Sequence, residues 1–227
     1  MNDLNAPPIN PLPPVVWLLA LPVIAMEVAV SLGASGLAGG ASAIGWRLDA
    51  VQRFAFSPEY LRRMYEAGLW PADGLMRLVS YPLVHLSTTQ AVFVIVFLLA
   101  LGKFVGEVFR WWAVLVVVFG AAATAALVYA AVPIVTAPLV GGYPPVYGLI
   151  GAFTFILWTN LGRSGGNRMR AFALIGMLLA VQLVFGLLFG GGPQWIADLA
   201  GFGAGFLLSF VVSPGGWARV TAKLRAR

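Results

Sequence analysis

The chain has 227 residues, of which 60% are hydrophobic and only 10% are charged, whereas soluble domains average about 25% charged residues. This composition excludes an ordinary soluble domain and indicates a protein surrounded by lipid. The absence of cysteine excludes disulfides and thiolate chemistry, and a single histidine leaves little for a metal site, so we expect no cofactor. The net charge of +6 comes from Lys and Arg mostly between or after apolar segments. We therefore expect contact with the lipid bilayer and none with nucleic acid.

The chain begins with a proline-rich stretch, residues 1–14, that contains no Lys or Arg. It lacks the basic start of a signal peptide, so we predict a disordered N-terminal tail. Six apolar segments follow over residues 15–212, each close to the ~20 residues that a helix needs to cross the hydrocarbon core. Because helices satisfy their own backbone groups in lipid, the sequence predicts an all-α membrane protein. The segments lie near Val15–Leu32, Val84–Phe104, Trp111–Val132, Pro145–Leu161, Ala171–Phe189 and Trp195–Val212.

The first connection, residues 33–83, is too long to be a plain turn. From Glu59 to Leu69 its apolar residues recur at positions 60/61, 64/65 and 69, with charged residues opposite, which is the pattern of an amphipathic helix. Gly68 weakens this helix near its end without breaking the pattern. We therefore predict that the first loop carries an amphipathic element lying in the headgroup layer.

Basic residues favour one side of the predicted bundle. Lys103 and Arg110 lie between the second and third segments, three arginines lie between the fourth and fifth, and four basic residues lie in the tail, residues 213–227. Cytoplasmic loops are enriched in Lys and Arg, so we predict that both termini and the basic tail face the cytoplasm. The first loop is the exception, but its four acidic residues nearly balance its five arginines.

The stretch Gly141–Phe155, with the sequence GGYPPVYGLIGAFTF, predicts a loop that turns into a tightly packed membrane helix. Its two prolines suit a first helical turn, where a missing N–H costs nothing. Gly148 and Ala152 lie four residues apart on one face, with Gly151 beside them. Small residues at this spacing let two helices approach closely within a bilayer.

The same stretch resembles the fourth membrane helix of the rhomboid family of intramembrane serine proteases. That helix carries a G-x-S-G-A-x-x-G-x-x-G-A pattern with the nucleophilic serine at its start. When the end of the pattern is aligned with Gly148–Ala152, the G-x-S-G falls on Gly141, Gly142, Tyr143 and Pro144. The resemblance therefore places Tyr143 at the serine position and Pro144 at the position of the following glycine.

The second segment also resembles a rhomboid motif. Its sequence, RLVSYPLVHLSTTQAVFVIV, is similar to the family's R-L-x-T-x-x-F-x-H-G-S-x-x-H-x-x-x-N. His85 matches the first histidine, the second histidine falls on Gln90, and the asparagine falls on Val94. In the family, a histidine and the asparagine of this helix are donors to the oxyanion. Gln90 could still donate a hydrogen bond, whereas Val94 could not.

The sixth segment, WIADLAGFGAGFLLS, is similar to the family's A-H-x-G-G-x-x-x-G. Ala197, Gly201 and Gly205 repeat at four-residue intervals, and the resemblance makes them the face that packs against the fourth helix. The catalytic histidine falls on Asp198. The resemblance thus implies a six-helix rhomboid-like bundle with an interfacial first loop, in a bacterial-type inner membrane, whose nucleophile and base positions hold Tyr143 and Asp198.

These replacements predict a pseudoprotease rather than an enzyme, because a tyrosine hydroxyl is a poor nucleophile and no histidine remains to act as its base. Inactive relatives of the family bind membrane segments of clients or partners, and the resemblance implies the same here. Two alternatives stay open: a scaffold subunit of a larger membrane complex, and a serine-type endopeptidase with non-standard residues.

Other polar residues suggest weaker catalytic hypotheses. Residues Ser87–Thr89 lie near His85 but have no orienting acid nearby, so an alternative serine protease is disfavoured. Asp198 with Glu27 could suggest an aspartyl dyad, but the Y-D and G-x-G-D motifs of intramembrane aspartyl proteases are absent. Glu27 is either a structural acid facing the bundle or a proton relay. His85 is either a loop-packing residue or part of a functional pocket.

An acid inside a membrane is costly without a partner. If the family's helix arrangement holds, the nearest polar neighbour of Asp198 is the group at the old serine position. We therefore predict a hydrogen bond between Tyr143 and Asp198 across the fourth and sixth helices. Gln182, in the fifth segment, is expected to bond a neighbouring helix.

Overall fold

The computed structural model describes residues 11–189 and 191–216. This part of the chain forms nine α-helices and three short 3-10 helices, and its only strand-like pairing is one isolated bridge between Phe56 and Leu139. Two predicted segments lie partly outside the described residues. These are the basic tail, residues 213–227, from residue 217 onward, and the N-terminal tail, residues 1–14, up to residue 10. The α-helices are α1 (Pro14–Ala34), α2 (Trp46–Phe54), α3 (Pro58–Ala67), α4 (Ala72–Ser80), α5 (Thr88–Val108), α6 (Trp111–Ala131), α7 (Tyr143–Arg163), α8 (Ala173–Phe189) and α9 (Trp195–Val212).

The predicted all-α membrane bundle is confirmed, and its six apolar segments correspond to α1 and α5–α9. Five of these helices, 18 to 21 residues long, are long and apolar enough to cross a membrane, and α8 has 17 residues. The largest shift is in the second segment, because α5 begins at Thr88 and not at the predicted Val84. The backbone of Val84 and Ser87 is extended, and the Ser87 hydroxyl caps α5 by accepting a hydrogen bond from the Gln90 N–H.

The predicted amphipathic stripe forms α3. Ser57 caps its start by accepting a hydrogen bond from the N–H of Tyr60 at 3.3 Å. Its end corrects the prediction for Gly68, which does not merely weaken the helix but terminates it, in the left-handed conformation with a φ of 64°. Leu69 therefore lies beyond the helix.

The first loop is fastened to the end of the bundle where α6 ends and α7 begins. The guanidinium of Arg62 donates hydrogen bonds to the carbonyls of Ala130, Val132 and Val135, which belong to the last turn of α6 and the chain after it. These carbonyls have no helical partner of their own. The bridge between Phe56 and Leu139 adds two backbone hydrogen bonds to the α6–α7 connection. The first loop thus covers the end at which α7 starts.

The tightest helix contact joins α7 and α9. A Cβ atom on Gly205 would collide with the backbone of Gly148, and one on Gly151 would collide with the backbone of Phe202 and Phe206. A Cβ on Gly201 would likewise meet the backbone of α7, at its first turn. We call this contact, formed by Gly148, Gly151, Gly201 and Gly205, the glycine seam.

Two alanines predicted for helix packing, Ala152 and Ala197, are fully buried. In contrast to α7 and α9, α8 packs loosely. Among the described residues, its main contacts are with the 3-10 helix before it and with α7. The side chains of Met177 and Leu188 are 69% and 70% exposed. The bundle therefore has a rigid centre and one loosely held outer helix.

Candidate functional site

The residues singled out on the second segment surround the two glycines that precede α7. A Cβ atom on Gly141 would lie 2.5 Å from Nε2 of Gln90, and one on Gly142 would lie 2.6 Å from a methyl group of Val94. The ring of His85 lies against both glycines. The structure thus brings His85, Gln90 and Val94 together directly before Tyr143, the first residue of α7.

The imidazole of His85 acts as a hydrogen-bond acceptor. Its Nε2 accepts the N–H of Gly142 at 3.2 Å, so the ring is neutral with its proton on Nδ1. Nδ1 is buried and has no hydrogen-bond partner among the described residues. Burial lowers the pKa of His85 to about 4, while the carboxylate of Glu27 acts in the opposite direction. His85 therefore positions the loop before α7, the loop-packing role among its two interpretations.

The hydrogen bond predicted between Tyr143 and Asp198 is not the one in the structure. Oδ2 of Asp198 instead accepts a hydrogen bond of 2.8 Å from Nε2 of Gln182, on α8. The hydroxyl of Tyr147 points to Oε1 of the same Gln182 at 3.5 Å. The expectation that Gln182 bonds a neighbouring helix is met, and Asp198 is the acceptor. Sequence reasoning missed Tyr147, which lies one turn after Tyr143, because its neighbours along the chain are apolar and no motif includes it.

A cavity of about 220 Å³ lies beside these groups. Its walls come from α5, α7, α8 and α9, and they are apolar except for Tyr143, Tyr147, Gln182 and Asp198. Tyr143 and Asp198, the residues that the resemblance assigns to the nucleophile and base positions, therefore share one cavity, although they do not bond each other. Within the described part of the chain, no three His, Cys, Asp or Glu side chains come together as metal ligands.

The hydroxyl residues near His85 are engaged elsewhere. The Ser87 hydroxyl caps α5, and the Thr88 hydroxyl accepts a hydrogen bond from Arg47 at 3.3 Å. His85 already uses Nε2 to accept the Gly142 N–H. Neither of these two hydroxyls donates a hydrogen bond to His85, whereas a nucleophilic serine or threonine requires a bond to an oriented base.

Comparison with known proteins agrees with this architecture. The Rhomboid domain family model matches residues 72–215, which is more than half of the chain. The chain belongs to the rhomboid family. No curated protein matches it. The rhomboid match contains every position of the cavity and of the glycine seam, and it leaves out α1, α2 and α3.

The helices outside the rhomboid match contribute a second polar cluster, around Glu27. Arg47, at the start of α2, forms a bidentate ion pair with Glu27 on α1, with N–O distances of 2.7 and 3.0 Å. The Ser31 hydroxyl donates to the same carboxylate, and Arg47 also donates to the backbone carbonyl of His85 at 2.9 Å. Glu27 is thus a structural acid that anchors the first loop beside His85. It is bound to Arg47 and not to Asp198, so the two acids do not form a dyad.

The sequence analysis recognised Glu27 but not its partner. Arg47 was counted among the charges of a nearly neutral loop, since nothing in its spacing assigns it to an acid 20 residues earlier. A signal was nevertheless present, because an acid inside an apolar helix requires a cation or a donor nearby along the chain or in space.

Proposed function

We propose that this member of the rhomboid family is a pseudoprotease that binds membrane-spanning segments of client or partner proteins. The observation that carries the proposal is the cavity between α5, α7, α8 and α9, which is lined by both Tyr143 and Asp198. The resemblance assigns these two residues to the family's serine and histidine positions. A groove once used to reach a scissile bond would serve to hold a segment without cutting it.

The chemistry of the cavity disfavours hydrolysis. A tyrosine hydroxyl needs a base to become a nucleophile, and Asp198 accepts its hydrogen bond from Gln182 instead of from Tyr143. An oxyanion also requires preorganised donors. The methyl groups of Val94 lie against Gly142, where a donor would be needed, and Nε2 of His85 is an acceptor there.

The loose attachment of α8 supports binding from the side. We infer that a client helix enters the cavity between α5 and α8, since the glycine seam holds α7 against α9. The cavity is lined by Phe97 of α5 on one side and by Leu178 and Val181 of α8 on the other. Movement of α8 breaks few contacts, so this gap between α5 and α8 is the part of the bundle that opens at the least cost.

The proposal includes a location and an orientation: the inner membrane of a bacterium, with both termini in the cytoplasm. The connection between α5 and α6 and the one between α7 and α8 lie at the end opposite the first loop. These connections, together with the C-terminal ends of α5 and α7, contain the basic residues Lys103, Arg110, Arg163, Arg168 and Arg170. The enrichment of Lys and Arg in cytoplasmic loops supports this end as the cytoplasmic one.

The test is a pull-down in a gentle detergent with quantified partners, together with an activity-based serine-hydrolase probe. We expect no labelling by the probe and a spread of membrane proteins bound below one-to-one. The matched variants are Leu178→Trp, which fills the cavity, and Met177→Trp, which places the same side chain next to it on the exposed face of α8. The first should lose the clients and the second should keep them.

Two results would contradict the proposal. One dominant partner at a fixed ratio, retained by Leu178→Trp, would make the protein a scaffold subunit of a larger membrane complex. Probe labelling that persists in Tyr143→Phe but disappears on changing another residue would reveal a serine-type endopeptidase with a non-standard nucleophile.

A further inference from the structure

The cavity holds one strongly polar group whose hydrogen bonding is incomplete. The Asp198 residue is only 4% exposed, and its Oδ2 is bonded to Gln182. No described residue donates a hydrogen bond to its other oxygen, Oδ1, and Asp198 lines the cavity. Two oxygens of a carboxylate offer about four acceptor sites, and an amide N–H satisfies one.

An acid in this position is costly unless a ligand completes its bonding. The carboxylate of Glu27 in the same bundle has donors at both of its oxygens, which come from Arg47 and Ser31. Asp198 has no cation comparable to Arg47 among the described residues, because the salt bridges there join Arg47 to Glu27 and Arg63 to Glu59. A basic side chain of a bound ligand would supply the donor that Oδ1 lacks among the described residues.

The depth of Asp198 in the bundle sets where that cation must lie. Asp198 is the fourth residue of α9, so its Cα lies about 5 Å along the axis from the start of the helix, at a rise of about 1.5 Å per residue. This is the end of the bundle covered by the first loop. The walls around it are apolar side chains of α5, α7 and α8. The fitting ligand is an apolar helix with a single basic side chain about one turn inside that end.

We propose that the cavity selects membrane-spanning helices with a lysine or arginine about one turn inside the end adjoining the first loop, and that Asp198 binds this cation. The inference rests on the proposed function and names its client class. The aliphatic stem of the basic residue lies along the apolar walls, while its charged head reaches Oδ1. Gln182 donates to Oδ2, so Oδ1 is the oxygen that remains for the cation.

The experiment uses the full chain reconstituted in lipid vesicles with single-span test proteins of fixed topology. Each test protein has the same Leu/Ala membrane segment with one guest residue. The guest is Lys, Leu or Glu one turn from the end adjoining the first loop, or Lys one turn from the opposite end. Because the chain contains no cysteine, an acceptor dye is attached through Ser164→Cys in the exposed α7–α8 connection, and binding is measured by energy transfer.

We expect the near-end Lys segment to bind about 3- to 30-fold more tightly than the Leu segment, the range that single polar contacts between membrane helices reach. The Glu segment should bind more weakly than Leu, and the far-end Lys should give no advantage over Leu. Asp198→Asn, which keeps the side-chain shape, should remove the Lys preference, so that Lys and Leu segments bind equally tightly. Glu107→Gln, which removes an exposed acid at the other end of α5, should keep the preference.

Gln182→Leu separates binding of the cation from a structural role of the polar cluster. This variant removes the partner of Asp198 but keeps the carboxylate, so the Lys preference should persist or increase. Equal binding of Lys and Leu segments, or a preference that survives Asp198→Asn, would overturn the inference while leaving client binding in place. Failure of every segment to bind would overturn both the inference and the proposed function.

Discussion

The glycine seam and the contact of α8 hold helices to the bundle in opposite ways. In the seam, α7 and α9 meet backbone to backbone over several turns, with no room for a Cβ atom on Gly148, Gly151, Gly201 or Gly205. Among the described residues, helix α8 is instead held by the hydrogen bond from Gln182 to Asp198 and by apolar contacts such as that of the buried Ile175. Lipid tails are as apolar as leucine, so close packing is what separates a fixed helix from a movable one. The difference places stability in the centre and access at α8.

The largest effect should come from filling the seam. Gly205→Val would drive a branched side chain into the backbone of Gly148, which cannot rotate away as a side chain could. Overpacking typically costs 1–3 kcal/mol, and against backbone we expect a loss of at least about 3 kcal/mol. The measurement is the unfolding midpoint in detergent micelles. The matched control is Gly203→Val in the same helix, where a Cβ atom meets nothing within 4 Å. Equal losses in both variants would show that the seam does not determine stability.

The second effect tests the fastening of the first loop. Arg47→Met removes the cation that Glu27 bonds, and breaking a largely buried ion pair should cost about 3 kcal/mol. The control is Arg63→Met in the pair with Glu59, whose side chains are 75% and 45% exposed, and the expected loss there is below about 0.5 kcal/mol. Replacing both partners, with Glu27→Leu added to Arg47→Met, should recover part of the loss. If the double variant is less stable than Arg47→Met alone, the pair is not what stabilises this region.

The sequence predicted the architecture well because lipid leaves the chain few choices. Six apolar segments had to be helices, and the small residues of the seam had to face another helix. Two of the missed boundaries are explained by local capping. The start of α5 moved to Thr88 because the Ser87 hydroxyl bonds the N–H of Gln90, and α3 ended at Gly68 because glycine enters the left-handed conformation readily.

The candidate site was only half predictable from the sequence. The resemblance to rhomboids brought His85, Gln90 and Val94 next to the start of α7, and the structure places them there. It could not assign the partner of Asp198, because motif positions fix where a residue lies but not which donor reaches it. Tyr143 and Gln182 both line the cavity, but the donor that bonds Oδ2 of Asp198 is the Gln182 amide, which comes from α8.

The third prediction concerns pH. Burial lowers the pKa of His85 to about 4, against an ordinary value of 6.5, with Glu27 and Arg47 acting on it in opposite directions. The unfolded chain therefore binds a proton near pH 6.5, and the folded chain does so only near pH 4. Stability should fall as the pH drops through this window, by about 3 kcal/mol, and should not change further above it.

The control for the pH effect is His85→Gln, whose amide oxygen can still accept the N–H of Gly142 but does not titrate. Carboxylates change in the same window in both proteins, so the difference between their stability profiles isolates the imidazole. Profiles of equal slope between pH 6.5 and 4 would mean that His85 is protonated in the folded state as readily as in the unfolded one.

The smallest expected change in stability comes from the contact that holds α8. Gln182→Leu removes the hydrogen bond to Asp198, and single interhelical bonds of this kind are worth about 1 kcal/mol in a membrane. The loss of stability should be modest, but the motion of α8 should increase, because little else fixes this helix.

A spin label at Met177→Cys, on the exposed face of α8, would report broader distances to a second label at Ser164→Cys. Labels at Leu207→Cys and Ser164→Cys should report unchanged distances, since the seam holds α9 to α7 whether or not Gln182 is present. Broadening of both pairs would show that α8 and α9 move together and that the bundle has no separately movable helix.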